Sequence, residues 1–283
     1  MYKIENSYTN DNTNNRNLRY RMQSVAKEIL QTEHRIGVCL RHKLKENVDE
    51  EIDQQISPHF DVIMVCGSVW VCPFCASKII EQRRFELQSA IKAQFAAGGH
   101  CTMITLSFIH SANDKLNDLL DALKGALMRF RSGRSYNRFK LTLSLIGSIR
   151  ALEVTYGGNG WHPQIHLLLF HQNEIESWES FILEDEIYAM WSTACRAYGL
   201  LCNRKHGVRF HNSRSMSAYI DKYGILTEKQ RITESGITAF DMLKEIVETG
   251  DLTNAEKYRE YVSATNGKKQ LVWSRGLKEF FGL

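Results

Sequence analysis

The sequence predicts an α+β fold in which helices flank an antiparallel β-sheet. One observation is a pair of strand-like segments, 150–156 and 161–170, joined by Gly157-Gly158-Asn159-Gly160. Gly and Asn tolerate positive φ, so this link is typical of a tight hairpin between antiparallel strands. The second observation is the 3.6-residue apolar period in several other segments, which is typical of amphipathic helices.

Composition places the chain among ordinary globular proteins. It has 283 residues, of which 43% are apolar and 24% charged, with a formal charge of +4. This charge permits a nucleic-acid partner without requiring one. No stretch reaches the ~18 to 20 apolar residues of a membrane span or resembles a secretory signal, so we expect a cytoplasmic protein without membrane partners.

The N-terminal third is predicted to contain a tail, a Cys-rich region and a long helix. Residues 1–16 are rich in Asn and Thr, and we expect a disordered tail there. The region 17–98 is predicted to be helical and Cys-rich, with a helix over 77–97 that stops at Gly98-Gly99. Alternating side chains over 101–109 then predict the first strand.

The rest of the chain is predicted to complete the core and add a helical end. Residues 99–226 form the predicted sheet-containing core, and 227–283 a C-terminal helical region. Within these regions lie a predicted helix, a short strand and two further helices, over 174–198, 208–211, 244–247 and 255–262.

A polar row on the second hairpin strand is a candidate metal site. His162, Gln164 and His166 project to one face of that strand. A symmetric turn places Glu153 opposite Gln164. Imidazole, carboxylate and amide oxygens suit Mg²⁺ or Mn²⁺, and either Gln164 or His162 can complete the set. The alternative interpretation is the exposed polar face of an edge strand.

A cysteine cluster is a candidate zinc site. The chain has seven cysteines, and an odd number in a reducing compartment favours metal binding or buried thiols over disulfides. Cys72 and Cys75 form a Cys-x-x-Cys pair, with Cys66 six residues earlier. Cys39 or His42 can supply the fourth ligand of a structural Zn²⁺ site, and Cys39 is favoured. The alternative is a group of buried thiols without metal.

Two further patterns are candidates for DNA chemistry. Tyr219 and Tyr223 are four residues apart with Lys222 between them, so a helix would present both phenols on one face. Such a pair more often packs in a core. Four arginines interleaved with aromatic residues are candidates for DNA contact, the alternative being a solvated basic loop: Arg129, Arg131, Arg134 and Arg138.

These motifs together resemble a known family. The segments 152–155, 160–166 and 219–223 are similar, in order and spacing, to the three parts of plasmid rolling-circle replication initiators, members of the HUH endonuclease superfamily. The Cys-Pro-x-Cys knuckle and the segment 270–277 extend the resemblance. It implies a five-stranded antiparallel sheet with flanking helices, a His-hydrophobic-His strand that binds a divalent cation, and a tyrosine helix packed against it.

The chain departs from this pattern at one ligand position. Gln164 stands where the family has the first histidine, giving Gln164-Ile165-His166. A glutamine carbonyl binds transition metals more weakly than imidazole does, and His162 on the same face can compensate. Both tyrosine positions are filled, which indicates a two-tyrosine site in which either phenol can act first.

The resemblance implies a replication function. It implies metal-dependent, site-specific nicking of a plasmid origin through a covalent 5′-phosphotyrosine, leaving a 3′-OH primer, with strand transfer afterwards. The implied partners are origin DNA, single-stranded or extruded at the nick, and a host helicase and DNA polymerase. Two alternatives are a relaxase or transposase of the same superfamily, and a zinc-dependent origin-binding protein that has lost nuclease activity.

Overall fold

The computed structural model describes residues 7–31, 34–42, 63–211 and 236–283 of the chain. The elements, in chain order, are α1 (Ser7–Leu30), a 3₁₀ turn (Arg35–Gly37), α2 (Pro73–Ala96), β1 (His100–Leu106), α3 (Leu116–Ser132), α4 (Arg134–Leu143), β2 (Leu145–Gly157), β3 (Gly160–His171), α5 (Ser177–Arg196), β4 (Val208–His211), α6 (Ala239–Thr249), α7 (Ala255–Thr265), β5 (Leu271–Trp273) and α8 (Leu277–Phe280).

The strands form one five-stranded antiparallel sheet in the order β4-β1-β3-β2-β5. This confirms the predicted fold class. In the β2–β3 hairpin Tyr156 pairs with Trp161 and Glu153 with Gln164, which is the register that the symmetric turn predicts. Gly160 adopts a φ of +82°, a conformation that glycine reaches without steric cost.

The two faces of the sheet differ in what covers them. One face carries apolar side chains such as Leu152 and Ile165, which share a core with α3 and α5. Part of the other face is covered by the second half of α2 and by α8, through a smaller core that includes Leu168 and Leu277. The remainder of this second face carries the polar row of β3, and we call it the polar face.

The two ends of the chain pack against each other. α1 contacts α2, α6 and α7. The Arg21 guanidinium donates to the carbonyl of Val247 at 2.9 Å, and Arg259 Nε donates to the carbonyl of Ile29 at 2.9 Å. The N-terminal and C-terminal regions, drawn as separate segments from the sequence, therefore share one packed unit.

Three boundaries differ from those predicted. α1 begins at Ser7, inside the segment 1–16 that composition predicts as a tail. α2 begins at Pro73 and not at residue 77, because proline suits the first helical turn. The C-terminal region is not wholly helical, since β5 joins the sheet edge beside β2. Within the described ranges, no helix has the length and apolar character needed to cross a membrane.

Candidate functional site

His166 is the centre of the polar face. It is 1% exposed, and both of its ring nitrogens have partners on neighbouring strands. Nε2 lies 2.7 Å from Oε2 of Glu153 on β2, and Nδ1 lies 3.0 Å from Oγ1 of Thr105 on β1. Thr105 and Ala151 are the cross-strand neighbours of His166, so the register brings these groups together. Glu153 keeps a quarter of its side chain exposed and faces solvent from one side of the pair.

The spacing of Glu153 and His166 suits two adjacent ligands of one cation. An octahedral ion with bonds of about 2.1 Å places neighbouring ligand atoms about 3.0 Å apart, close to the observed 2.7 Å. Gln164 is directly opposite Glu153 and adds an amide oxygen on the same face. For Nε2 of His166 to bind a cation, its proton must reside on Nδ1, where the Thr105 hydroxyl can accept it.

His162 has a different partner. Its Nδ1 lies 2.5 Å from Nε2 of His110, whose Nδ1 lies 2.9 Å from the carbonyl oxygen of Asn159. Because the Asn159 carbonyl can only accept, Nδ1–H of His110 donates to it. With both rings neutral, Nδ1–H of His162 then donates to Nε2 of His110. Burial, followed by the charge of His110, lowers the pKa of His162 to about 4.

The two histidines of β3 stand apart along the strand. Four residues of an extended strand span about 13 Å, so His162 and His166 meet one ion only if both rings lean toward each other. The structure thus brings Glu153, Gln164 and His166 together and pairs His162 with His110. In the described part of the chain, three or more His, Cys, Asp or Glu ligand atoms come together only at the cysteine cluster.

Sequence analysis missed three residues of the polar face. Thr105 and His110 lie in and just after β1, and Arg209 lies on β4 directly opposite Thr105. Arg209 is exposed, so its guanidinium faces the solvent on the side of the sheet that carries His166. The alternation over 101–109 places Thr105 on a strand face, but no local signal shows which strand lies beside it.

The candidate nucleophiles fall outside the described residues. Tyr219, Lys222 and Tyr223 lie in the segment 212–235. The described chain reaches this segment at the end of β4, which pairs with β1, and resumes near Ile237, which forms a bridge with Tyr156 of β2.

The structure explains the aromatic residues of the arginine pattern as core packing. The interleaved aromatic residues Phe130, Tyr136 and Phe139 are buried in the main core, so they are not available to stack on bases. Arg131 donates to Ser148 Oγ at 3.3 Å, which places it on the side of the sheet opposite the polar face. The basic-aromatic surface expected from Arg129, Arg131, Arg134 and Arg138 is thus a row of helix-surface arginines above a buried aromatic core.

Four cysteines form a second candidate site. The Sγ atoms of Cys39, Cys66, Cys72 and Cys75 all lie within 4.8 Å of one another, and all four residues are buried. His42, the other candidate for the fourth position, is exposed. Hydrogen bonds from Cys66 and then Cys72 hold the pKa of Cys75 well below its usual range. This cluster can hold a metal ion such as zinc.

Comparison with known proteins assigns the family. Residues 59–281 match the family described as replication protein. The chain is 26% identical over 296 aligned residues to Protein rep of Streptomyces lividans, with 78% of this chain and 64% of that protein covered. It is 32% identical over 132 residues to a neomycin resistance protein of Streptomyces cyanogenus, with 38% of this chain and 30% of that protein covered.

The chain spans less than two thirds of the length of these curated relatives. No solved structure is significantly similar to it. The family match covers most of the chain and includes both the sheet and the C-terminal segment, which confirms the resemblance to replication initiators read from the motifs. The chain therefore belongs to the replication protein family.

Proposed function

We propose that this chain initiates plasmid replication by nicking origin DNA with a tyrosine nucleophile beside a divalent cation. The observation that carries the proposal is the buried His166 bonded to Glu153 at 2.7 Å on the polar face of the sheet. A buried imidazole with a carboxylate and an opposing amide forms a hard, oxygen-rich donor set, suited to Mg²⁺ or Mn²⁺.

Each residue of the polar face has a distinct role in this proposal. Glu153, His166 and Gln164 hold the cation, and the Thr105 hydroxyl keeps the His166 ring oriented. The bound cation supplies polarisation of the scissile phosphate. His162, held by His110, lies on the same face of β3 and is the alternative ligand to Gln164.

The chemical step is a phosphoryl transfer to tyrosine. Tyr219 or Tyr223 loses its phenolic proton, and its oxygen forms a bond to phosphorus while the bond from phosphorus to the 3′ oxygen breaks. The 3′ oxygen leaves, takes up a proton and becomes the primer terminus. Lys222 lies between the two tyrosines in sequence and neutralises the charge of the phenolate or phosphotyrosine.

Strand transfer follows from the same chemistry. The phosphotyrosine conserves the energy of the phosphodiester, so the second tyrosine can attack a regenerated junction and release a circle without ATP. The proposed substrate is single-stranded or extruded DNA, in which unpaired nucleotides let the scissile phosphate approach the polar face. A host helicase and DNA polymerase complete the replication cycle.

The test uses labelled single-stranded oligonucleotides tiled across the replicon that carries the gene, with Mn²⁺, Mg²⁺ or EDTA. Covalent adducts are resolved on denaturing gels for wild type, Tyr219→Phe, Tyr223→Phe and the double variant. We expect a metal-dependent adduct that the double variant loses. Loss in one single variant identifies the nucleophile that acts first.

A second comparison tests the metal site itself. Glu153→Gln is expected to abolish the adduct, while Glu186→Gln, an exposed acid on α5, retains it. Origin binding without an adduct under any metal would overturn the nicking proposal and indicate a binding protein. Cleavage at the end of a mobile element, in place of an origin, would indicate a relaxase or transposase.

A further inference from the structure

The cysteine cluster has the spacing of a tetrahedral metal site. Sγ of Cys39 lies 3.7 Å from that of Cys72 and 3.6 Å from that of Cys75, and Cys66 lies 3.6 Å from Cys75. Four sulfurs bound to zinc at about 2.3 Å stand about 3.8 Å apart. A disulfide would need about 2.05 Å, and all four are free thiols, so the spacing matches a metal site.

Hydrogen-bond donors surround the sulfurs. The backbone N–H of Cys66 donates to Sγ of Cys39 at 3.4 Å. Cys72 precedes the first residue of α2 and Cys75 lies in its first turn, where the helix N-terminus stabilises thiolates. Four thiolates around Zn²⁺ carry a net charge of −2, so donors of this kind are needed to bury the group.

Gln23 of α1 is the most informative of these donors. It is 0% exposed, and its Nε2 donates to Sγ of Cys72 at 3.6 Å and to the carbonyl of Cys39 at 3.2 Å. Its Oε1 is buried and has no hydrogen-bond partner in the described part of the chain. Burying an amide oxygen without a partner costs free energy. A residue that only packed against apolar neighbours would not need an amide.

The cluster also lies where separate parts of the chain converge. Gln23 reaches it from α1, and Cys39 from the turn that follows. Between Cys66 and Cys72, the indole of Trp70 donates to the carbonyl of Lys268 at 2.7 Å, and the Tyr258 hydroxyl donates to the carbonyl of Val71 at 2.9 Å. One ion here would fasten α1, the knuckle and α7.

We propose that Cys39, Cys66, Cys72 and Cys75 bind one structural Zn²⁺ and that Gln23 is a positioning residue for this ion. The four thiols lose their protons on binding, and the site has no open position for substrate. Gln23 holds Cys72 and the backbone of Cys39 in the orientation that the ion needs. The ion thereby fastens α1 to the C-terminal helices, a role independent of the nicking chemistry.

The first measurement is the metal content and the cobalt spectrum of the full chain. We expect one zinc per chain and, after exchange with Co²⁺, thiolate-to-cobalt charge transfer with tetrahedral d–d bands. Cys101→Ser, a buried cysteine outside the cluster, keeps this spectrum, whereas Cys39→Ser loses its four-sulfur character. Wild-type protein without zinc and without a thiolate–cobalt band overturns the site.

Zinc transfer to an excess of chelator tests Gln23. Gln23→Leu is expected to keep one zinc per chain but to release it about tenfold faster, the usual scale for loss of an outer-sphere hydrogen bond. Gln94→Leu is the matched control, because Gln94 is also a buried glutamine on a helix but donates to the carbonyl of His171. Equal release rates for wild type and Gln23→Leu overturn the positioning role.

Hydrogen exchange tests the fastening role. Chelation is expected to raise exchange in α1, the knuckle and α7 while β1 and β3 remain protected. Unchanged exchange in α1 and α7 after zinc removal contradicts this role. These measurements need no DNA, so their outcome does not depend on whether the protein nicks DNA.

Discussion

At the scale of single residues, the polar face is built from side chains that are far apart in sequence. Glu153 and His166 meet because the hairpin pairs their strands, and Thr105 joins them from β1. The rings of His166 and His162 take their orientation from the groups that contact their nitrogens. Two residue-scale predictions follow from neighbours that local sequence does not identify.

Arg209 is predicted to contact the DNA backbone beside the proposed metal site. It is opposite Thr105, which is opposite His166, so its strand position is about 10 Å from that of His166 on the same face. An extended arginine side chain spans most of that distance, and its guanidinium binds phosphate well. We expect Arg209→Ala to weaken single-stranded DNA binding about tenfold, the scale of one charged hydrogen bond.

The control for Arg209 lies on the other side of the sheet. Arg138→Ala removes another exposed arginine, on α4, and should leave affinity close to that of wild type. Fluorescence anisotropy at two salt concentrations measures both variants. A larger loss for Arg138→Ala would return the DNA surface to α3 and α4, as the sequence pattern suggested.

His171 is predicted to make stability depend on pH. It is buried, with Nε2 2.9 Å from Thr102 Oγ1 and Nδ1 2.8 Å from the Asn173 carbonyl. Burial lowers its pKa to about 4, below the unfolded value of about 6.5. The unfolded chain therefore binds a proton first, and stability is lost as pH falls from about 6.5 toward 4.

Between pH 7 and pH 5 this one group accounts for a loss of about 2 kcal/mol. Urea unfolding of wild type and His171→Gln at both pH values measures it. We expect the variant to lose less stability on acidification, with some pH dependence remaining from His162. The exposed His206→Gln serves as the control, and an identical acid loss in His171→Gln and wild type would refute the assignment.

At the scale of elements, the β2–β3 hairpin sets the geometry of the polar face. Its turn packs on the segment after β1 that carries His110. A Cβ at Gly160 would lie 2.8 Å from Cα of Ala112 and 2.9 Å from the carbonyl oxygen of Ser111. Gly158 in the same turn has open space around it.

Gly160→Ala is therefore predicted to destabilise the protein while Gly158→Ala does not. The substitution at Gly160 adds strain from its positive φ to a clash with backbone, together about 2 kcal/mol or more. Gly158→Ala should change the free energy of unfolding by about 0.5 kcal/mol or less. Chemical denaturation compares the two, and equal stabilities would mean that the turn does not pack as described.

At the scale of the whole molecule, the C-terminal segment belongs to the same folding unit as the sheet. β5 pairs with β2, and Leu277 of α8 is buried beside Leu168 and Ile149. The sequence predicts residues 227–283 as a C-terminal helical region. Its packing instead completes the second core and leaves the polar face open beside it.

Leu277→Ala is predicted to destabilise the sheet. Truncation of a buried leucine costs about 2 to 4 kcal/mol. Phe280→Ala changes a residue at the end of the same helix that is 60% exposed, and it should cost less than about 1 kcal/mol. Circular dichroism and tryptophan fluorescence should report one shared transition, and a sheet transition unaffected by Leu277→Ala would argue for a separate C-terminal unit.

The sequence alone determined the features that depend on neighbours along the chain. Alternation and the Gly-Asn turn predicted the hairpin, its register and the shared face of Gln164 and His166, because a strand has a period of two. Cysteine spacing predicted Cys66, Cys72 and Cys75 as one group, with Cys39 favoured as their partner. The motif order predicted the family.

Strand order and helix docking establish which distant groups meet. The strand order places Thr105 beside His166 and Arg209 beside Thr105, and the loop after β1 gives His162 a partner in His110. Burial of Phe130, Tyr136 and Phe139 makes these rings part of the core, so they cannot stack on bases. Gln23 joined the cysteines through helix docking. Contacts between distant residues depend on which helix and strand faces are buried together, and short sequence patterns do not specify those faces.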